Sequence, residues 1–228
     1  MFVIPELRDS TAHVFVDAID APVLDEIDAH HLLRVLRVKP SDTVTVSDGK
    51  GKWFSSVLNS DATIEATSEV LTTAAPSWPL TVAFSLVKGD RPEWTVQKLT
   101  EIGVDEIVVL APTVRSVVRW DHDRSNKNIE RLRRVAREAA MQSRRTWLPN
   151  VHGVIEMSTI ANLYIADPTG VCLDASHRTI AVGPEGGFAP QETETCAGLV
   201  SLGETVLRAE TAAVSAAVLM SDYRRKRN

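Results

Sequence analysis

The residues best placed for chemistry lie in the last third of a 228-residue chain. Ala181-Val182-Gly183-Pro184-Glu185-Gly186-Gly187-Phe188 follows directly on a predicted strand. Glycines there let backbone N–H and C=O groups approach a ligand that a β-carbon would hold off. Further on, Leu202-Gly203-Glu204-Thr205-Val206-Leu207-Arg208-Ala209-Glu210-Thr211-Ala212 repeats the order of strand end, glycine, irregular stretch and helix start. Two such loops at the ends of strands in one sheet would line a common cleft, where open α/β sheets bind ligands. The spacing matches neither the GxGxxG dinucleotide fingerprint nor a phosphate loop with its Lys-Ser/Thr. Glu185, Arg208 and Glu210 are the ionisable groups beside that cleft: a carboxylate can take a proton, and an arginine can hold developing negative charge. No Ser-His-Asp or Cys-His constellation accompanies them, so nucleophilic catalysis is not indicated. On these residues alone, a plain turn at 183–187 and an Arg208–Glu210 pair that only tends a helix end stay open as alternatives.

Positioning such loops needs alternating strands and helices. After Thr73-Ala74-Ala75-Pro76-Ser77-Trp78-Pro79, a Pro-bearing joint of low charge, the pattern predicts a strand at 80–87, a helix at 92–103 and a strand at 105–110. A long helix follows at 125–143, with an apolar stripe of Ile129, Leu132, Val135, Ala136, Ala139 and Ala140. Short strands are predicted at 163–166, 171–173, 179–182 and 199–202, a helix starting near Pro190, and a last helix at 209–225. This alternation predicts a mostly parallel sheet covered by helices. The last helix has little polar face after Thr211, its predicted cap, so it is expected to be buried within one chain or against a second copy. Before the joint, strands at 12–16, 43–47, 53–58 and 63–71, with turn signals at 48–51 and 59–61, predict a small β-barrel-like module. It carries one helix, at 30–38, with Asp28 as cap.

Composition is that of a globular protein, with 44% hydrophobic and 24% charged residues. No apolar run approaches a membrane span, and the opening MFVIPELRDS lacks the basic patch and apolar stretch of a signal peptide. With only Cys172 and Cys196, and no CxxC pair or His cluster at zinc spacing, no disulfide framework or metal site is expected, and a reducing cytoplasm is the default compartment. The formal net charge of −5 argues against a polyanionic partner until its distribution is read. Residues 1–75 carry 6 basic and 12 acidic groups, whereas 112–146 carry 10 and 4. One basic segment in an acidic chain can still bind nucleic acid locally. In it, Arg115 and Arg119 fall on a loop, Lys127, Arg131 and Arg134 share one helical spacing, Arg133 and Arg137 another, and Arg144 and Arg145 close the helix. The alternative is a solvated face with partners such as Glu130 and Arg134.

Several short motifs occur in a fixed order: His30-His31-Leu32 with Val35-Leu36-Arg37, then Val87-Lys88-Gly89-Asp90-Arg91, then Gln97-Lys98-Leu99-Thr100-Glu101-Ile102-Gly103-Val104. Arg115-Ser116-Val117-Val118, Gln142-Ser143, Gly183-Pro184-Glu185-Gly186-Gly187, Leu202-Gly203 and Leu207-Arg208-Ala209-Glu210-Thr211-Ala212 follow. In register, and over nearly the whole chain, they resemble the bacterial 16S ribosomal RNA uracil-N3 methyltransferases of the SPOUT class. The resemblance implies an α/β protein with a PUA-like RNA-binding β-barrel at 1–74 and a SPOUT α/β methyltransferase domain with a trefoil knot at 75–228. It implies S-adenosylmethionine as cofactor, 16S ribosomal RNA of the small subunit as partner, and a homodimer through the C-terminal domain, with no metal and no membrane.

Carried over by motif, the cofactor residues would be Leu173, Gly183, Pro184, Glu185, Gly186, Gly187, Leu202, Gly203, Val206, Leu207, Arg208 and Thr211, with Thr211 closing the pocket. Glu185, Arg208 and Glu210 would be the catalytic candidates, with Glu185 nearest the methyl group. RNA contacts would come from Arg34, Arg37, Lys88, Arg91, Lys98, Arg115, Arg119, Arg144 and Arg145. Alanine at Arg115 and Arg119 is expected to weaken RNA binding and flatten its salt dependence. Two departures limit the transfer: Val114 stands where the family has an acidic residue, and Met141-Gln142-Ser143-Arg144-Arg145 replaces the common Glu-Gln-Ser-Gly-Arg run. Glu93, Gln97 and Glu101 share one helical face that would hold substrate or simply face water. His30 and His31 are read as ordinary surface or core residues. A competing function is a non-catalytic RNA-binding ribosome-assembly protein with a degenerate methyltransferase domain, which would not bind the cofactor. A nucleotide-binding α/β enzyme is disfavoured by the missing phosphate loop.

Overall fold

Alternation in 43–47 and 52–58 turns one side of each segment inward, and the two pair across the Asp-Gly turn. In the computed structural model, which describes residues 4–227 and so leaves Met1, Phe2 and Val3 of the amino-terminal reading outside it, β2 (Thr43–Ser47) runs antiparallel to β3 (Lys52–Leu58). β1 (Ala12–Phe15) joins β2 in parallel, while β4 (Ile64–Ala66) and β5 (Leu71–Thr72) pair with β3. The strand predicted at 63–71 is therefore two short pieces. The sheet buries Val14, Val44, Val46, Phe54 and Leu58 against Leu32. Leu32 comes from a π-helical turn, His31–Val35, that continues α2 (Glu26–His30). This helix starts before the predicted 30–38: Asp25, in extended backbone, is the cap and accepts from the Asp28 amide at 2.7 Å, while Asp28 lies buried inside the helix. A short α1 (Pro5–Asp9), started by its proline, was not anticipated.

This first unit comprises residues to Pro76 together with 140–148. His13 is its buried polar centre, 1% exposed. Its Nε2 lies 3.0 Å from the Arg145 carbonyl, which can only accept, so in the neutral ring Nδ1 accepts from the Thr45 hydroxyl at 2.9 Å. Burial pushes its pKa down to about 4; the Arg145 carbonyl opposes that and the Arg144 charge adds to it. A histidine neutral in the fold but titrating near 6.5 when unfolded loses stability as pH falls below 6.5, levelling off below about 4. The loss expected from this one group is about 3 kcal/mol. Urea titrations from pH 7.5 to 4 should show a shallower pH slope in H13Q than in the natural chain; equal slopes would refute the assignment.

In the second unit, 77–139 and the residues from Pro149 onward, six parallel strands lie in the order β11-β9-β10-β6-β7-β8. They are β6 (Thr81–Phe84), β7 (Glu106–Leu110), β8 (Asn150–Ile155), β9 (Tyr164–Cys172), β10 (Thr179–Val182) and β11 (Gly198–Ser201). Three helices cover one face: α3 (Arg91–Ile102) with Val96 and Leu99, α4 (His122–Gln142) with Ile129, Leu132 and Ala136, and α6 (Ala209–Arg227) with Ala213, Ala216, Ala217 and Met220. Phe188 and Met157 pack with Val108, Leu110 and Ile165 in a second core cluster. The mixed α/β class is what the strand–helix alternation predicted, but residues 140–148, expected in the second domain, group with the first unit.

Four details differ from the sequence expectation. The strands at 163–166 and 171–173 are one strand, β9, whose register against β11 shifts between Leu199 and Val200. β11 approaches so closely that a β-carbon at Gly170 would lie 2.4 Å from the Val200 nitrogen, so the strand can continue only with glycine there. β8 was not foreseen, and the helix near Pro190 is the four-residue α5 (Pro190–Thr193). α6 is not buried all round, since Val218 is 49% exposed; and Thr211 lies inside α6 rather than capping it, because the helix begins at Ala209. Its first-turn bond runs from the Ala212 amide to the Arg208 carbonyl.

Candidate functional site

Glycine-bearing loops leave the carboxyl ends of β10 and β11 and line one cleft with the middle of β9. Its volume is about 370 Å³, within the size range of small-molecule sites. Gly183, Pro184, Glu185, Gly187 and Phe188 come from the first loop, and Leu202, Gly203, Thr205, Val206, Leu207 and Arg208 from the second. The first loop is a tight turn closed by the Gly187 amide on the Pro184 carbonyl at 2.8 Å. Gly187 has φ +68°, a backbone state that costs glycine little and other residues more.

Of the cofactor residues expected from sequence, nine line this cleft and three do not. Leu173 is 5% exposed within the core, and its carbonyl accepts from the Tyr223 hydroxyl at 3.0 Å. Thr211 is exposed on α6. Gly186 lies at the outside of the turn under the Arg115 side chain. The sequence reading missed Ile165, Ala166, Asp167 and Pro168 from β9, along with Val182, Thr193, Ala209 and Ala212. Asp167 brings a carboxylate whose Oδ1 accepts from the Thr169 amide and hydroxyl, at 2.8 and 2.6 Å.

The three catalytic candidates differ in setting. Glu185 lines the cleft with its side chain 54% exposed, and Arg91 Nη1 stands 3.5 Å from its Oε1. Glu210 is outside the lining, 16% exposed, with Oε1 3.8 Å from Arg91 Nε and a buried Oε2 that has no hydrogen-bond partner. Arg208 is exposed on the lining. Arg91 at the start of α3 therefore stands between two carboxylates. The next pair along is Glu93 with Arg131 of α4, at 3.2 Å.

Other expected RNA contacts also have intramolecular work. Lys98 donates to both oxygens of Glu101 at 2.9 Å, so Glu101 is paired rather than free to hold substrate. Arg144, whose φ of +58° turns the chain after α4, donates to the carbonyls of Ser10 at 3.0 Å and Met141 at 2.9 Å within the first unit. Residue type could not reveal this; backbone geometry decided it. Glu130 pairs with Arg133, not Arg134. Arg34, Arg37, Lys88 and Arg119 are exposed. Arg115 reaches the first cleft loop, donating to the Gly186 carbonyl at 2.8 Å. Among the described residues no group of three or more His, Cys, Asp or Glu could hold a metal ion, and no helix is long and apolar enough to cross a membrane.

Two family models match the chain: an RNA methyltransferase domain over residues 74–221 and an RNA methyltransferase PUA domain over 24–70. The chain is 32% identical over 219 residues to the ribosomal RNA small subunit methyltransferase E of Mycobacterium bovis, covering 85% of this chain and 83% of that protein. It is 30% identical to the protein of that name from Rickettsia conorii over 82% of this chain and 83% of the relative. Among solved structures, a ribosomal RNA small subunit methyltransferase E from Neisseria gonorrhoeae, bound to S-adenosyl methionine, superposes with a TM-score of 0.74 at 26% identity, covering 92% of this chain and 97% of that one. A probable rRNA-methyltransferase from Porphyromonas gingivalis gives 0.74 at 27% identity, covering 95% and 100%.

Proposed function

We propose, from the premise that this chain belongs to the RNA methyltransferase family, that it transfers the methyl group of S-adenosylmethionine to N3 of one uridine in 16S ribosomal RNA of the small subunit. The observation that carries this is the cleft itself. Its apolar walls, Val182, Phe188, Leu202 and Leu207, suit a flat purine. Asp167, on the β9 side of the lining, suits the cationic centres of such a ligand. The residues present therefore fit the cofactor, and relatives named for ribosomal RNA methylation support the substrate class.

When bound, the cofactor supplies an activated methyl group on a sulfonium, so the protein needs no nucleophile of its own. The chain's tasks are to orient the uracil, to exclude water and to receive the N3 proton. Glu185 accepts that proton. Arg208, exposed on the lining, stabilises negative charge on the uracil oxygens. RNA is held by Arg34, Arg37, Lys88 and Arg119, with Lys127 and Arg134 of α4. The active form is a homodimer through the C-terminal unit, in which Val171, Val206 and Val218, 64%, 85% and 49% exposed, are apolar surface for a second copy to cover. The decisive experiment is methyl transfer to small ribosomal subunits lacking the modification, followed by mass mapping. One new methyl group on a uracil N3 is expected; a methyl on ribose or another base, or none, would overturn the assignment.

A further inference from the structure

Apart from the Gly187 amide on the Pro184 carbonyl, the first loop has little of its own to hold its shape, since Gly186 and Gly187 have no side chains to pack. The structure shows what does hold it. The segment after β7 lies against the loop and is tied to it twice. Arg115 Nη1 donates to the Gly186 carbonyl at 2.8 Å. Its aliphatic stem crosses the glycine: a β-carbon built at Gly186 would stand 3.4 Å from Arg115 Cβ and 3.6 Å from Cδ. Glu192 divides its carboxylate, Oε1 accepting from the Val114 amide at 2.9 Å and Oε2 from the Ala189 amide at 2.7 Å. One oxygen thus serves the Arg115 segment and the other the cleft loop's own continuation. Val114, an exposed apolar residue, contributes through its backbone N–H. Arg115 stands in turn on a closed turn, in which Ser116 Oγ accepts from the Thr113 amide at 2.9 Å.

We propose that Arg115 is a positioning residue for the cofactor loop, with Glu192 fixing the segment it stands on, rather than an RNA contact. The inference rests on the methyltransferase reading. The guanidinium holds the Gly186 carbonyl and the loop in the ligand-receiving shape before binding, so the ordering cost is not left to the ligand. A charge-assisted bond to a carbonyl is strong in principle, but Arg115 is exposed and its worth is reduced accordingly.

The test is calorimetry of S-adenosylmethionine against the full chain and against R115M and R115K, with RNA affinity measured separately without cofactor. Lysine keeps the charge that a phosphate would read but lacks the planar fork that spans to the carbonyl. Both variants are expected to bind the cofactor about tenfold more weakly, roughly the loss of one such bond, with unchanged RNA affinity. The KM for cofactor should rise with kcat little changed, and backbone amides at 186–188 should exchange faster in both variants. E192Q, which keeps the side-chain shape, should move cofactor affinity in the same direction. If R115K binds the cofactor like the natural chain, or if RNA affinity falls while cofactor affinity holds, the proposal fails. If the natural chain itself does not bind S-adenosylmethionine, the methyltransferase reading fails and this inference with it.

Discussion

Replacing Arg224 by methionine should destabilise the C-terminal unit by about 3 kcal/mol or more, the range for removing one partner of a buried ion pair. Arg224 and Asp105 are 14% and 13% exposed, and the Arg224 Nη1 group lies against Asp105 Oδ2. The same guanidinium donates to the Trp78 carbonyl at 3.2 Å and the Gly103 carbonyl at 2.8 Å. Asp105 also accepts from the Leu80 amide at 2.9 Å. One side chain on α6 thus ties together the start of β6, the end of α3 and the approach to β7. Methionine fills much of the volume but takes the guanidinium away from the Asp105 carboxylate and leaves two carbonyls without this donor. For a chain of this size the melting temperature should fall by about 10 °C. The neighbouring R225M is the control: Arg225 is 71% exposed and pairs with Asp222 at 2.8 Å, so its loss should stay within about 0.5 kcal/mol. Urea titration of both variants decides the matter, and equal effects would refute the structural role of Arg224.

That contrast also shows where sequence reasoning stopped short. Arg224, Arg225, Lys226 and Arg227 look like one basic tail, because composition does not say which way a helical side chain points. Yet the buried series Ala213, Ala216, Ala217 and Met220 advances by three and four residues, and the next step of four lands on Arg224. The information was in the spacing. The two cleft loops were legible for the converse reason, since glycine at a strand end followed by a helix start is a local signal that needs no knowledge of partners. The β9 wall was not. Asp167-Pro168-Thr169-Gly170 has the composition of a turn, and only the closeness of β11 explains why Gly170 sits within a strand. The arginines were hardest. Arg91, Arg115 and Arg144 have the type and charge of phosphate contacts, but carboxylates and carbonyls distant in sequence engage them, and one sequence does not display such pairings.

The two carboxylates joined by Arg91 should respond very differently to neutralisation. In the proposed reaction uracil N3 carries a proton at neutral pH that must leave as the methyl group arrives, so the acceptor needs three properties. It must reach the cleft, have a free lone pair there, and pass the proton on afterwards. Glu185 lines the cleft and is 54% exposed, so it has both the access and a route to solvent. Glu210 has a free lone pair on Oε2, but that oxygen is buried and the residue is not part of the lining. Its side chain is 16% exposed against 54% for Glu185, so it has the poorer access to solvent. E185Q keeps an oxygen for Arg91 and nearly the same volume, yet an amide cannot accept the proton. Its methyl-transfer rate should fall about a hundredfold, the lower range for losing general-base catalysis, with cofactor affinity within about threefold of the natural chain. E210Q should lose less than about tenfold in rate, since its carboxylate serves to hold Arg91 rather than to take the proton. Single-turnover methyl transfer at saturating RNA and cofactor, with calorimetry of each variant, separates the two. Full turnover by E185Q with normal cofactor affinity would remove Glu185 from the reaction, and a larger loss in E210Q would move the proton to the buried carboxylate.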